Sequence, residues 1–162
     1  MNMTVIGVDP SLNASGVVVL KFIEGEKLPE ILKQCVIPCT PKMGDVGRII
    51  HIVDELDAIL NSVVDPKVAV EGLSFGARGR AMLQLAALNY YIQIHLVKKE
   101  IEHMLIPPTV MKKFVTGKGN CTKDLTMLKA YKKWGVDFGD NNICDAYCHA
   151  MYYYYCKKVE VV

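Results

Sequence analysis

Residues 4–23, with the sequence TVIGVDPSLNASGVVVLKFI, decide the fold of this chain. The apolar, β-branched runs TVIGVD and VVVLKFI predict two strands, and the turn-prone PSLNASG between them predicts a hairpin. The first strand ends in Asp9, a carboxylate at the point where an apolar strand meets a loop. The hairpin therefore starts a sheet and leaves an acid at one of its ends.

Beyond the hairpin, strands and helices alternate. Asp45 is expected to cap a helix that runs through Leu60, and the strand KVAVEG ends at Glu71. The remaining predicted elements are strands at about 31–38 and 103–106, and helices at about 81–99, 109–115, 123–134 and 142–157. This order predicts a single α/β domain over residues 1–162, with a mixed sheet that is antiparallel at the hairpin and parallel beyond it.

Composition limits the class of protein without deciding it. A chain of 162 residues with 51% hydrophobic content suits one domain, and 19 basic against 17 acidic residues neither require nor exclude a nucleic-acid partner. The six cysteines lack the spacing of a secreted disulfide framework, and no leader sequence or apolar run of about 18 residues is evident. We expect a soluble protein with no membrane partner, in the cytoplasm of a bacterium or a phage-infected cell.

Three acidic residues occupy unusual positions for charges. Asp9 and Glu71 each end an apolar strand, and Asp145 lies in the apolar helix ICDAYCHAMYYYY. Ligands of an α/β sheet gather at the carboxyl ends of its strands, and clustered carboxylates repel one another unless they bind cations. Taken singly, each acid has an ordinary interpretation as a turn cap or surface charge. Together they favour a site for two magnesium ions, replaceable by manganese, and hence phosphodiester hydrolysis.

Basic residues concentrate in one part of this nearly neutral chain. Seven lysines and a single acid, Asp124, lie between residues 112 and 133, which suits a phosphate backbone. The predicted DNA contacts among them are Lys112, Lys113, Lys118 and Lys123. For Lys129, Lys132 and Lys133, a solvated lysine face is an equally good interpretation.

The segment SFGARGR follows Glu71 directly. Phe75 is placed to stack on bases or to pack in the core, and Arg78 and Arg80 are placed to hold phosphates. On the last helix, Cys144 and Cys148 leave a zinc site open as a minor alternative, provided that a second cysteine pair at 35 and 39 comes close in space.

Four segments resemble, in order and over nearly the whole chain, the signature segments of the RuvC Holliday-junction resolvases. They are IGVDPSLNASG, VEGLSFG, PPTVMKKFVTGKGNCTKD and DNNICDAYCHA. The resemblance implies a ribonuclease H-like fold, a homodimer that acts on four-way DNA junctions, and magnesium held by an acidic cluster. It makes Asp9, Glu71 and Asp145 the metal ligands, and matches Lys112 and Lys123 to basic residues that border the active site, with Lys123 in the catalytic set.

The chain departs from the family pattern at two positions. Asn142 stands where the family has Asp or His; its amide oxygen can coordinate metal but brings no charge and takes no proton. Asn142 is predicted as the fourth metal ligand, with Asp140 as a lower-ranked substitute. Whether Asn142 is native or an engineered inactivating change remains open. The family's wedge Phe corresponds to Ser74 here, so Phe75 is shifted by one residue.

The predicted function is a structure-selective crossover junction endodeoxyribonuclease that cuts Holliday junctions and related branched DNA in recombination or phage DNA processing. One alternative is a branched-DNA-binding protein that Asn142 has disabled. Another is a YqgF-like RNA nuclease, against which the lysine-rich TVMKKFVTGKG argues. No nucleotide cofactor is expected, because kinases with a similar first loop need two such domains. The apolar helix over residues 81–96 is the predicted dimer interface.

Overall fold

A five-stranded mixed sheet forms the centre of the molecule in a computed structural model, which describes residues 2–73 and 79–160. Its order is β3-β2-β1-β4-β5. The strands are β1 Met3–Asp9, β2 Ala14–Phe22, β3 Glu30–Pro38, β4 Lys67–Glu71 and β5 His103–Ile106. Strands β1, β2 and β3 pair antiparallel, whereas β4 is parallel to both β1 and β5. The predicted mixed sheet is therefore confirmed.

Helices cover both faces of this sheet. A short 3₁₀ turn at Pro41–Met43 leads into the first of them. The helices are α1 Gly44–Asn61, α2 Arg80–Lys98, α3 Pro108–Thr116, α4 Lys123–Trp134 and α5 Asn141–Glu160. Helices α1 and α2 bury their apolar residues in one core, and α3, α4 and α5 bury theirs in the other. No helix within the described ranges has the length and apolar character that a bilayer crossing demands.

The predicted capping role of Asp45 is wrong. Helix α1 begins one residue earlier, at Gly44, and no side chain caps it. The Asp45 carboxylate instead accepts from Arg48 at 2.8 Å and from Arg80 at 2.7 Å. These charge-assisted hydrogen bonds hold the pKa of Asp45 at about 2, and two guanidinium partners bind a carboxylate more strongly than backbone amides do.

Helix α2 is buried on one face only in the single chain. Leu88, Ile92 and Leu96 are fully buried against the sheet and α1. The opposite face leaves Tyr90 and Ile94 about half exposed. In the single chain, this apolar face of α2 is in contact with water.

Helix α5 lies unusually close to the sheet because two strand residues lack side chains. A Cβ atom added to Gly7 would overlap the carbonyl oxygen of Ala146, and one added to Gly16 would overlap that of Asn142. Gly16 pairs with Asp9 across the hairpin. The two glycines therefore bring the first turns of α5 against the end of β1.

Candidate active site

Asp9 and Glu71 lie side by side at the carboxyl ends of two parallel strands. Val8 of β1 pairs with Val70 of β4, so the next residue on each strand is one of the two acids. Their side chains share a hydrogen bond, and Asp9 is only 5% exposed. Strand register thus places the two carboxyls together at the strand ends, with Asp9 buried and Glu71 partly exposed.

Helix α5 adds Asp145 to this pair. Asp145 is 6% exposed and lies in the buried stretch of α5 that packs on β1 and β2. The ammonium group of Lys123, the first residue of α4, is 3.6 Å from its Oδ2 atom. The structure therefore brings Asp9, Glu71, Asp145 and Lys123 to one place.

Burial and mutual repulsion change the acidity of all three carboxyls. Burial, followed by the neighbouring Glu71, raises the pKa of Asp9 to about 9. Burial also raises the pKa of Glu71, and burial and the charge of Asp9 raise the pKa of Asp145 to about 6. Without a cation, the Asp9–Glu71 pair therefore holds one proton between its two carboxyls at neutral pH.

Two lysines oppose these shifts from the rim of the site. Lys123 and Lys112 both lower the pKa of Glu71 and of Asp145 by their positive charge. Lys112 also donates to the carbonyl oxygen of Cys121 at 3.0 Å, which fixes its position on α3. Both lysines thus border the acids, where the sequence predicts them.

Asn142 and Asp140 occupy the start of α5 beside the three acids. The Oδ1 atom of Asp140 accepts from the backbone N–H of Asn142 at 2.7 Å and of Ile143 at 3.2 Å, so Asp140 caps the helix. Its charge still reaches Asp9, whose pKa it raises. The ligand role of the Asn142 amide remains a prediction.

The donor set suits a hard divalent cation. Among residues 2–73 and 79–160, no three His, Cys, Asp or Glu side chains already have the spacing that encloses an ion. The Asp9–Glu71 pair is instead held together by its proton, and a cation can take over that neutralising role. Buried carboxylate oxygens are the ligands that magnesium and manganese prefer.

The other predicted DNA contacts fall into three groups. Lys113 and Lys118 are exposed on α3 and on the turn after it, where Gly117 adopts a left-handed φ of 81°. Arg80 is 82% exposed but pairs with Asp45, so its availability to phosphate is reduced. Phe75 and Arg78 lie outside the described residues.

The fold excludes the minor zinc alternative. Cys35 and Cys39 contact the core between the sheet and α1, whereas Cys144 and Cys148 belong to the core between the sheet and α5. The two pairs therefore lie on opposite faces of the sheet.

Sequence reasoning gave no role beside Glu71 to two polar residues that the structure buries there. Asn89 donates to the backbone carbonyl of Glu71 at 2.8 Å and accepts from Gln93 at 2.7 Å. His149 is fully buried, with its Nε2 atom 3.9 Å from the Oε1 atom of Glu71. Two signals in the sequence could have found these residues. Each is a polar residue in an apolar helix, and His149 follows Asp145 by four positions, which places both on the same helix face.

Comparisons with known proteins agree on one family. Residues 5–146 match the family model described as crossover junction endodeoxyribonuclease RuvC. A relative of that name from Ehrlichia canis is 28% identical over 157 residues, covering 96% of this chain and 99% of its own. A Campylobacter jejuni relative is 23% identical, covering 93% and 94%.

Solved structures show the same fold at low sequence identity. T. thermophilus RuvC, in complex with a Holliday junction substrate, has a TM-score of 0.77 at 19% identity, and the match covers 91% of this chain and 90% of that one. The Fowlpox virus resolvase, solved with Holliday junction DNA, has a TM-score of 0.61 at 10% identity, covering 93% and 96%. The predicted ribonuclease H-like fold class is confirmed.

Proposed function

The chain belongs to the RuvC family of crossover junction endodeoxyribonucleases, and on that premise we propose that Asp9, Glu71 and Asp145 hold its catalytic metal. Family membership confirms the predicted enzyme class: the chain is a metal-dependent endonuclease that resolves Holliday junctions. The observation that carries the site assignment is the adjacent Asp9–Glu71 pair at the ends of β1 and β4, beside the buried Asp145.

The proposed cofactor is magnesium, replaceable by manganese, with two ions in each active site. When bound, such ions activate a water molecule and stabilise the charge that develops on a phosphodiester. The chain's carboxylates hold the cations once their shared proton has left. Lys123 balances negative charge at the cleaved phosphate from its position 3.6 Å from Asp145, and burial of the acids limits competing water.

Asn142 is proposed as a neutral fourth ligand through its amide oxygen. The charge that it lacks is partly supplied by Asp140, which is close enough to affect Asp9 while it caps α5. Asp140 ranks below Asn142 as a direct ligand because its Oδ1 atom is already engaged by two backbone amides.

The proposed DNA surface follows α3, the turn after it and the start of α4. Lys112, Lys113, Lys118 and Lys123 place positive charge beside and beyond the acids, where a duplex arm leading away from the cut would run. Phe75, Arg78 and Arg80 are proposed as further contacts near the junction centre.

A homodimer is proposed through the exposed face of α2. The apolar residues on this face follow one another at alternating spacings of four and three, which is the pattern of a helix–helix seam. They are Leu83, Ala87, Tyr90, Ile94 and Val97, all exposed in the single chain. Exposed apolar stripes of this kind mark protein interfaces, and a twofold dimer presents two equivalent sites to a near-twofold junction.

The test is a cutting assay on a labelled four-way junction, beside linear duplex DNA and an RNA duplex, with magnesium or manganese. We expect symmetric nicks on the junction alone, lost in Asp9→Ala without loss of junction binding. Tight binding without nicks, restored by Asn142→Asp, would identify Asn142 as a disabling residue. Cutting of the RNA duplex in preference to the junction would favour the RNA-nuclease alternative.

A further inference from the structure

His149 is a buried polar side chain without a hydrogen-bond partner. Its ring is fully buried on α5, one turn after Asp145, and among the described residues neither Nδ1 nor Nε2 has a partner. Such groups are rare in folded proteins, because a buried donor that loses its water without gaining a partner destabilises the fold. The position of His149 therefore calls for a state in which the ring is paired.

The Oε1 atom of Glu71 offers that pairing, since it lies 3.9 Å from Nε2. We propose that His149 is a positioning residue for Glu71, whose carboxylate accepts a hydrogen bond from Nε2–H when Glu71 holds the metal. The inference rests on the proposed metal-binding role of Glu71. A shortening of about 1 Å brings the two atoms into hydrogen-bond range.

The side chain and the backbone of Glu71 have separate contacts. Its carboxyl shares a hydrogen bond with Asp9, the last residue of the neighbouring strand. Its backbone is fixed separately, because Asn89 holds its carbonyl oxygen at 2.8 Å and Gln93 holds Asn89. The Glu71 side chain can therefore turn from Asp9 towards His149 without moving β4.

The ring has the correct chemistry for a fixed donor. Burial lowers the pKa of His149 to about 3, so the imidazole is neutral and carries a single N–H. A carboxylate that ligates metal needs such an outer partner to fix its orientation, and removal of one typically lowers metal affinity 10- to 100-fold. If the imidazole only filled space, its replacement by an apolar side chain would leave the metal affinity unchanged.

The experiment compares three substitutions of the full-length protein at one position. His149→Gln keeps a donor near the place of Nε2, His149→Asn moves it towards the place of Nδ1, and His149→Leu removes it. Manganese affinity is measured by titration, together with urea unfolding in EDTA and junction cutting. Met151→Leu, a buried change elsewhere on α5, is the repacking control.

We expect His149→Leu to lower manganese affinity about tenfold or more, with unchanged or increased stability in EDTA. His149→Gln should recover most of the affinity, and His149→Asn should not. If His149→Leu binds manganese with wild-type affinity, or if His149→Gln and His149→Asn lose affinity equally, this inference is wrong while the proposed metal site still stands. Failure of the wild-type chain to bind manganese, or unchanged binding in Asp9→Ala, would overturn the proposed site itself and this inference with it.

Discussion

Replacing Asp9 by Asn should stabilise the metal-free protein while abolishing cutting. Asp9 is 5% exposed and shares a proton with Glu71. The pair takes up this proton when the chain folds, because burial raises the pKa of Asp9. The Asn amide has nearly the same shape and donates a permanent hydrogen bond to Glu71 in place of that proton. The substitution therefore removes the need to take up a proton on folding, a cost that the fold tolerates for function.

The size of the effect follows from the acidity of Asp9. Because its pKa rises from 3.8 to about 9 on folding, the folded state keeps a proton that the unfolded chain releases. Stability is then greatest below pH 4 and is lost as the pH rises towards 9. One pKa unit corresponds to about 1.4 kcal/mol. Since Asp9 and Glu71 share the shift, we expect Asp9→Asn to stabilise the fold by about 2–4 kcal/mol near pH 7.

Urea unfolding in EDTA between pH 5 and 9 measures this gain, which corresponds to roughly 5–15 °C in melting temperature. Magnesium should stabilise the wild type and have little effect on Asp9→Asn. Asp57→Asn is the control, because Asp57 pairs with Lys99 at 2.6 Å and with His95 at 2.7 Å, so the same change should lower stability there. If Asp9→Asn is no more stable than the wild type across this pH range, the conclusion that Asp9 and Glu71 share a proton is wrong.

Three further changes test the neighbouring elements. Lys123→Ala removes the ammonium 3.6 Å from Asp145 and should slow junction cutting roughly a hundredfold, with partial retention in Lys123→Arg; unchanged rates would exclude Lys123 from catalysis. Gly7→Ala should lower the free energy of unfolding by about 1–3 kcal/mol in urea, because its Cβ overlaps α5, whereas Gly47→Ala on α1 has room and should not. Ile94→Arg should convert the dimer to monomer in sedimentation equilibrium, and a persistent dimer would move the interface elsewhere.

The sequence predicts the sheet and two of its acids well because both depend on local pattern. Continuous apolar runs locate β1 and β4, and Asp9 and Glu71 are their last residues. Parallel neighbours end at the same edge, so their proximity needs no tertiary detail. Asp145 is predictable for a related reason, since a charge in an apolar helix must face a partner.

Features that depend on contacts between distant segments escaped prediction. Asp45 has the sequence signature of a cap, but Arg80 lies 35 residues away and competes for its carboxylate. The exposed face of α2 is apolar, and periodicity cannot tell whether water or another chain covers it. The 3.9 Å separation of His149 from Glu71 depends on how closely α5 approaches β4, which no local pattern reports.

The glycines of β1 and β2 connect folding to catalysis in this protein. Gly7 and Gly16 contribute no side chain to the core, yet they allow the backbone of α5 to lie directly on the sheet. That approach buries Asp145 beside Asp9, and burial followed by the charge of Asp9 raises the pKa of Asp145 to about 6. Larger residues at these positions would move α5 outward, relieve the repulsion and separate the carboxylates. Under the proposed function, this close approach of α5 is what brings Asp145 to the metal site that Asp9 and Glu71 form.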